Sequence, residues 1–175
     1  MHTATRATTV AILAVLVLAV AVTAAGCGSA VPEAETAGEP VVPAPYDLSD
    51  PEAAVRSYLD WVSFSYRMAN SEIPTATMTP AEGVRVDAYI QLNRTDGRGL
   101  EQRITSFEVR SMSLETTTAV VAAREDWDYR YFSLEDLGYV TEPLQASYET
   151  TYTLVREERG WVVDRVEAAA IGEVQ

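Results

Sequence analysis

The order of apolar and polar positions divides the chain into a helical part followed by a part built of strands. Asp50 can cap the free N–H groups of a helix start, and Pro51 suits the first helical turn. Apolar residues then recur at three- and four-residue steps as far as Met68, which predicts one buried helical stripe. The stripe consists of Val55, Tyr58, Leu59, Val62, Tyr66 and Ala69. Beyond Arg103 the apolar period is two, which is typical of strands.

The segment between these two parts carries competing patterns. Thr79-Pro80-Ala81-Glu82 is typical of a capping box at a helix start. Over residues 83–93, apolar positions alternate as in a strand, whereas Val84, Ala88 and Leu92 fit one face of a helix. Because of the cap, we expect a second helix.

Four strands are predicted at residues 103–114, 119–132, 146–157 and 161–169, with a tight hairpin turn at residues 158–160. Two helices followed by an antiparallel meander define an α+β domain. We expect two N-terminal helices packed on a curved four-stranded antiparallel sheet, with the domain at residues 50–172.

The last two strands carry a family resemblance. Ser-Tyr-Glu-Thr-Thr-Tyr-Thr-Leu-Val-Arg at residues 147–156 and Gly-Trp-Val-Val-Asp-Arg-Val-Glu at residues 160–167 resemble the closing hairpin of nuclear-transport-factor-2-like domains, which have a cystatin-like fold. In layout the resemblance covers residues 50–169. It implies a cone-shaped domain. In bacterial lipoproteins it implies an interaction or ligand-holding unit, although the same fold hosts isomerases and dehydratases elsewhere.

The N-terminus has the three parts of a secretory signal: Arg6 in a short first region, an apolar run over residues 10–25, and small residues before Cys27. Ala24-Ala25-Gly26-Cys27 resembles the lipobox of bacterial lipoproteins, which implies that the thiol receives a diacylglyceryl group and that the chain is cut before Cys27. We therefore expect a signal peptide at residues 1–26 and an extracytoplasmic protein anchored to the cell membrane through Cys27. Simple secretion after cleavage near Ala25 and a retained membrane helix are the alternatives; the apolar run is short for a span.

Residues 27–49 combine a lipidated start with four prolines and no hydrophobic period, so they predict a flexible stalk. Such a stalk should add little to the stability of the domain.

Composition excludes several classes of function. Cys27 is the only cysteine and His2 the only histidine, so the exported chain would lack thiol, imidazole and Ser-His-Asp chemistry. We expect no metal and no cofactor. The chain has 26 acidic and 13 basic residues, a formal net charge of −13. This charge repels phosphate backbones, so we expect no nucleic-acid partner.

Aromatic residues supply the candidate binding groove. On a strand, Trp127, Tyr129 and Tyr131 share one face, and Tyr148 and Tyr152 belong to a second row on the hairpin. With Tyr58 of the first helix, these rows would line the mouth of a cone and offer flat apolar walls with hydroxyl tips. The alternative is that all of them pack as ordinary core on the first helix.

Acidic residues near these rows favour no particular chemistry. Glu125, Asp126 and Asp128 lack the calcium-loop pattern and fit a solvated edge. An enzyme would need a carboxylate inside the apolar cone with a tyrosine to polarise the substrate, for which Asp60 and Glu149 are the candidates.

The sequence therefore predicts a non-catalytic binding module, for an envelope protein or a small amphipathic ligand. A carboxylate-dependent isomerase or dehydratase and a structural module that homodimerises through its sheet are the alternatives. A carboxylate inside an apolar pocket would favour the enzyme.

Overall fold

The computed structural model describes residues 35–171. The predicted signal peptide, Cys27 and residues 28–34 lie outside this range. The elements are α1 (Pro51–Met68), α2 (Pro80–Thr95), β1 (Arg98–Leu114), β2 (Thr118–Ser133), β3 (Leu144–Glu157) and β4 (Gly160–Ala170), with one 3₁₀ turn at Thr75–Thr77. None of the helices in this range has the length and apolar character that crossing a bilayer requires.

The helix caps act as the sequence predicts. Asp50 Oδ1 accepts the backbone N–H groups of Glu52 at 3.0 Å and Ala53 at 3.1 Å, and α1 ends where Ala69 adopts a left-handed conformation with φ 48°. Thr79 Oγ1 accepts the N–H of Glu82 at the start of α2. The cap, and not the alternating pattern, therefore decides the structure of this segment.

The buried face of α2 differs from the predicted one. Val84 and Leu92 are 69% and 57% exposed, whereas Val86 and Ile90 are 2% exposed. Glu82 and Asn93 complete the buried line. Two lines of apolar residues run along this helix, one through Val84 and Leu92 and one through Val86 and Ile90. Only the second line packs on the sheet.

The four strands form one antiparallel meander in the order β1-β2-β3-β4. Register shifts occur in β1 between Ile104 and Ser106 and between Val109 and Ser111. Such bulges bend a strand and increase its twist. Both helices pack on the concave face of the sheet, and Val55 and Leu59 of α1 belong to the same buried cluster as Val121, Leu154 and Val163. The expected α+β fold, two helices on a curved four-stranded antiparallel sheet, is confirmed.

Residues 35–49 correct the expectation of a flexible stalk. Thr36 bridges to Gly138, and the N–H of Ala37 donates to the carbonyl of Leu137 at 2.8 Å. Further along, Trp61 Nε1 donates to the carbonyl of Ala44 at 3.1 Å. Backbone hydrogen bonds can fix an extended proline-rich chain without any hydrophobic period, which is why the pattern gave no sign of this docking. We call residues 35–49 the N-terminal strap.

The strap ends inside the core. Leu48 is 6% exposed, and its carbonyl accepts the N–H of Trp161 at 2.9 Å. The close passage explains Gly160, whose φ is 122°: an added Cβ would lie 2.4 Å from the Leu48 carbonyl oxygen. The compact unit therefore begins well before residue 50.

Candidate functional site

A cavity of about 470 Å³ lies between the helices and the concave face of the sheet. This volume falls within the range of small-molecule pockets, roughly 300–1,000 Å³. Seven of the nine tyrosines of the chain line it, together with one tryptophan. These aromatic residues are Tyr58, Tyr66, Tyr89, Trp127, Tyr129, Tyr131, Tyr148 and Tyr152. We call this space the aromatic cavity.

The structure brings all six aromatic residues of the predicted groove around this one cavity. Alternation along β2 places Trp127, Tyr129 and Tyr131 on its inner side, and alternation along β3 places Tyr148 and Tyr152 there. Tyr58 lies opposite them on α1.

These six residues differ in depth. Tyr58, Trp127 and Tyr152 are 6%, 9% and 1% exposed and belong to the hydrophobic core. Tyr129, Tyr131 and Tyr148 are half-buried. The core and groove alternatives are therefore compatible, since the deep residues pack as core and also form the floor of the aromatic cavity.

Glu125 lies inside the aromatic cavity, which the sequence reasoning missed. Its side chain is 3% exposed, against the expected place on a solvated edge. Tyr152 donates its hydroxyl proton to Oε1, and Trp127 Nε1 donates to Oε2 at 2.9 Å. Burial raises the pKa of the Glu125 carboxyl, and the hydrogen bonds from Tyr152 and Trp127 partly oppose that rise.

Thr150 lies beside Glu125 on β3. It is 2% exposed, and within residues 35–171 its Oγ1 makes no hydrogen bond of normal geometry. Its hydroxyl is still near enough to lower the pKa of Glu125 weakly. A buried polar atom without a partner is uncommon in a folded protein and calls for an explanation.

A second buried carboxylate stands behind the opposite wall. Tyr58 donates to Glu82 Oε1 at 2.9 Å, and Arg85 pairs with Glu82 Oε2 at 2.7 Å. The rings of Tyr58 and Tyr152 meet edge to face, with centroids 6.2 Å apart. Burial raises the pKa of both tyrosines, and the neighbouring carboxylates raise it further. Both hydroxyls therefore keep their protons and act as donors.

The other end of the cavity is built by α2 and the end of β2. Tyr89 and Tyr131 share a hydrogen bond of 2.9 Å between their hydroxyl oxygens. The guanidinium of Arg98 lies 4.4 Å from the centroid of the Tyr131 ring. Tyr66 packs against Tyr89 with ring centroids 5.1 Å apart. These contacts fix the positions of the wall before any ligand enters.

The two carboxylates named for an enzyme do not lie in the cavity. Asp60 is exposed on α1 and borders a separate groove beside the strap, where burial raises its pKa and Arg56 lowers it. Glu149 is exposed on the outer side of β3, opposite Arg124. Neither candidate therefore occupies the position that a carboxylate-dependent enzyme would need, whereas Glu125 does.

Asp126 and Asp128 lie on the outer side of β2. Ser147 donates to Asp126 at 2.6 Å, and Gln145 donates to Asp128 at 2.8 Å. Within the part of the chain that the structure describes, no three acidic, histidine or cysteine side chains converge as metal ligands do.

Comparison with known proteins supports the fold without giving a function. No protein-family model matches the chain. No curated protein matches it either. The intermembrane space region of the chloroplast protein ARC6 is similar at a TM-score of 0.55 and 14% identity, over 69% of this chain and 94% of that one. At this identity the likeness shows the fold alone.

Two further solved structures are similar to about the same share of this chain. A nuclear transport factor 2 (NTF2-like) superfamily protein from Salmonella enterica serovar Typhimurium has a TM-score of 0.47 at 7% identity, covering 68% of this chain and 89% of its own. An uncharacterised protein with a cystatin-like fold from Caulobacter vibrioides has a TM-score of 0.45 at 13% identity, covering 69% and 89%.

Proposed function

We propose that this protein is a small-molecule binding module that holds an amphipathic ligand in the aromatic cavity. The observation that carries the proposal is the composition of the cavity wall: seven tyrosines and Trp127 surround one buried carboxylate. Tyrosine and tryptophan combine a flat apolar face with a polar tip, which suits a ligand that is apolar at one end and polar at the other. Half-buried Tyr129, Tyr131 and Tyr148 leave the cavity open to entry.

The hydrogen bonds around Glu125 favour binding over catalysis. A proton-transfer enzyme on this plan needs a tyrosine whose proton is free to polarise the substrate. The proton of Tyr152 is given to Glu125, and that of Tyr58 is given to Glu82. The two tyrosines nearest the carboxylates therefore hold the site together and have no proton to offer.

A proton-transfer enzyme is the second candidate because Glu125 meets the condition set for it in the sequence analysis: a carboxylate lies inside a largely apolar pocket, where burial raises its pKa. Glu125 would be its general base. In that case Glu125→Gln would abolish conversion of a bound compound while the compound still binds. A co-purified compound that is recovered unchanged after prolonged incubation with the protein would rule this candidate out.

The binding function can be tested on the compound that the protein retains during purification. The full chain is purified, its bound small molecules are released by denaturation, and they are quantified by mass spectrometry. We expect about one equivalent from the wild type and much less from Tyr148→Ala, which removes part of the cavity wall. Tyr46→Ala is the matched control, because Tyr46 is 51% exposed and lies outside the cavity. Equal recovery from both variants, or none from the wild type with no binding of added amphiphiles, would contradict the proposal.

We also propose that the protein is displayed on the extracytoplasmic face of the cell membrane through a diacylglyceryl group on Cys27. The support is the small-residue run into the lone cysteine. Two acyl chains suffice for stable attachment, whereas one does not. Cys27→Ala should move the protein from the detergent phase to the aqueous phase on phase partition. If the intact mass of the wild-type protein shows that Cys27 is unmodified, this proposal is contradicted.

A further inference from the structure

The wall of the aromatic cavity contains an acidic side chain and, among the described residues, no basic one. Glu125 is the only acidic side chain in its wall, and among the described residues no arginine lines it. The chain contains no lysine, and its single histidine is His2. Glu82 already has Arg85 as its partner at 2.7 Å. Glu125 is thus a buried carboxylate whose known partners are all neutral.

The hydrogen bonds of Glu125 leave capacity for one more partner. An ionised carboxylate offers about four lone-pair sites. Tyr152 and Trp127 fill one site on each oxygen. Burying a charge is costly unless an opposite charge or further hydrogen bonds compensate it. The unpartnered hydroxyl of Thr150 beside it shows that the polar network at this point is incomplete.

The aromatic faces around Glu125 are suited to a cation. Tyrosine and tryptophan rings attract ammonium and guanidinium groups through their negative faces. The chain uses this contact elsewhere: guanidinium groups lie over the rings of Phe107, Phe132, Tyr131, Tyr139 and Trp161. Of these rings only Tyr131 belongs to the cavity wall. Trp127 and Tyr152 hydrogen-bond to Glu125, and Tyr148 stands opposite it in the strand register. Among the described residues, no arginine lies over any of these three rings.

We infer that the ligand of the aromatic cavity is an organic cation, a small amphipathic amine whose ammonium group pairs with Glu125 while its apolar part lies among the tyrosine rings. The inference rests on the proposed function and names the chemical class of its ligand. The ammonium group supplies a positive charge and donors for the open lone pairs of Glu125. It has no acceptor, so it does not compete with Glu125 for the protons of Tyr152 and Trp127. An anionic ligand would face Glu125 without any compensating cation.

The test compares two probes of the same size. 2-Phenylethylamine is protonated at neutral pH, and 2-phenylethanol is its neutral counterpart. Both are titrated into the full chain in nanodiscs of uncharged lipid, and the indole N–H resonance of Trp127, assigned by its loss in Trp127→Phe, reports binding because this group donates to Glu125. We expect the amine to bind at least about tenfold more tightly than the alcohol.

Variants of two carboxylates complete the test. Glu125→Gln should reduce the preference for the amine to within about twofold, while Glu149→Gln, on the outer side of the neighbouring strand, should leave it unchanged. Glu125→Asp retains the charge and should retain a preference for the amine. If Glu125→Gln does not fold, the wild-type comparison still decides the question.

Equal affinities of the wild type for amine and alcohol would overturn this inference alone, and binding of neither probe would overturn the proposed function with it. A preference for the amine that survives in folded Glu125→Gln would also overturn the assignment to Glu125.

Discussion

The two faces of β2 carry the same kind of side chain in opposite environments. Glu125 points into the aromatic cavity, and burial raises the pKa of its carboxyl. Asp128 lies three residues along on the outer face, where hydrogen bonds from Gln145 and Arg103 lower its pKa. The comparison teaches that alternation along the strand, and not residue type, decides whether a carboxylate here is solvated or available to a ligand.

The largest effect is expected when the indole that holds Glu125 is removed. Trp127 is 9% exposed, and truncating a buried tryptophan to alanine costs about 3–5 kcal/mol. Trp127→Ala should fall in this range, because it both opens a void and removes a donor from Glu125. Chemical denaturation measures the loss. A variant of full wild-type stability that no longer binds ligand would show that the inner face is a site and contributes nothing to the core.

A smaller loss is expected for Tyr152→Phe, which removes one hydroxyl and leaves the ring. The bond to Glu125 is buried and made to an ionisable group, so we expect a loss of about 2 kcal/mol in the free energy of unfolding at neutral pH. Tyr139→Phe is the matched control, since Tyr139 donates to Glu101 in a more exposed place at 3.0 Å. Equal losses in the two variants would mean that burial does not distinguish the two faces.

The pH dependence of stability should have opposite signs for the two carboxylates. The folded-state pKa of Glu125 lies above its unfolded value, so the folded protein holds this proton more tightly. The stabilising contribution of Glu125 is therefore present below its ordinary pKa, about 4.3, and is lost as the pH rises through the raised pKa. Relative to Glu125→Gln, the wild type should lose free energy of unfolding as the pH rises from about 4 towards neutrality.

Asp128→Asn supplies the opposite slope. The pKa of Asp128 is lowered in the folded state, so its contribution is present above the ordinary value and is lost as the pH falls through the lowered pKa. Denaturation curves of the wild type and both variants over a series of pH values compare the two slopes. If the contributions of Glu125 and Asp128 to the free energy of unfolding change with pH in the same direction, the two faces of β2 do not differ in the way argued here.

The smallest effect on stability is expected at the rim of the inner face. Tyr148 is half-buried, and Tyr148→Phe keeps its ring, so the free energy of unfolding should change by less than about 0.5 kcal/mol. Ligand retention should fall, because the hydroxyl is one of the polar tips at the cavity mouth. Denaturation and quantification of retained ligand are measured on the same preparation. A large loss of stability would place Tyr148 in the core instead.

Local signals were sufficient for most of the fold. Asp50 and Thr79 marked both helix starts, and the period of two gave all four strands in their order. The same alternation identified the aromatic rows, and it also contained the signal for Glu125, which stands two residues before Trp127 and hence on the same face. The general rule that acidic residues lie at the surface points in the other direction.

Two features could not be reached from local pattern. The buried face of α2 depends on which of two apolar lines meets the sheet, and this is decided by packing between distant elements. The docking of the strap depends on backbone groups, such as the carbonyl of Leu48, whose partner Trp161 lies at the far end of the domain. Neither residue type nor spacing records such a pairing.

The strap also constrains the order in which the protein can fold. Residues 35–49 precede every helix and strand that the structure describes, yet Leu48 pairs with Trp161 of β4, the last of these strands. Contacts between such distant parts of a sequence form slowly because the intervening chain must first be ordered. During synthesis from the N-terminus, the carbonyl of Leu48 lacks this partner until the final hairpin has been made, and its pairing with Trp161 then marks completion of the native state.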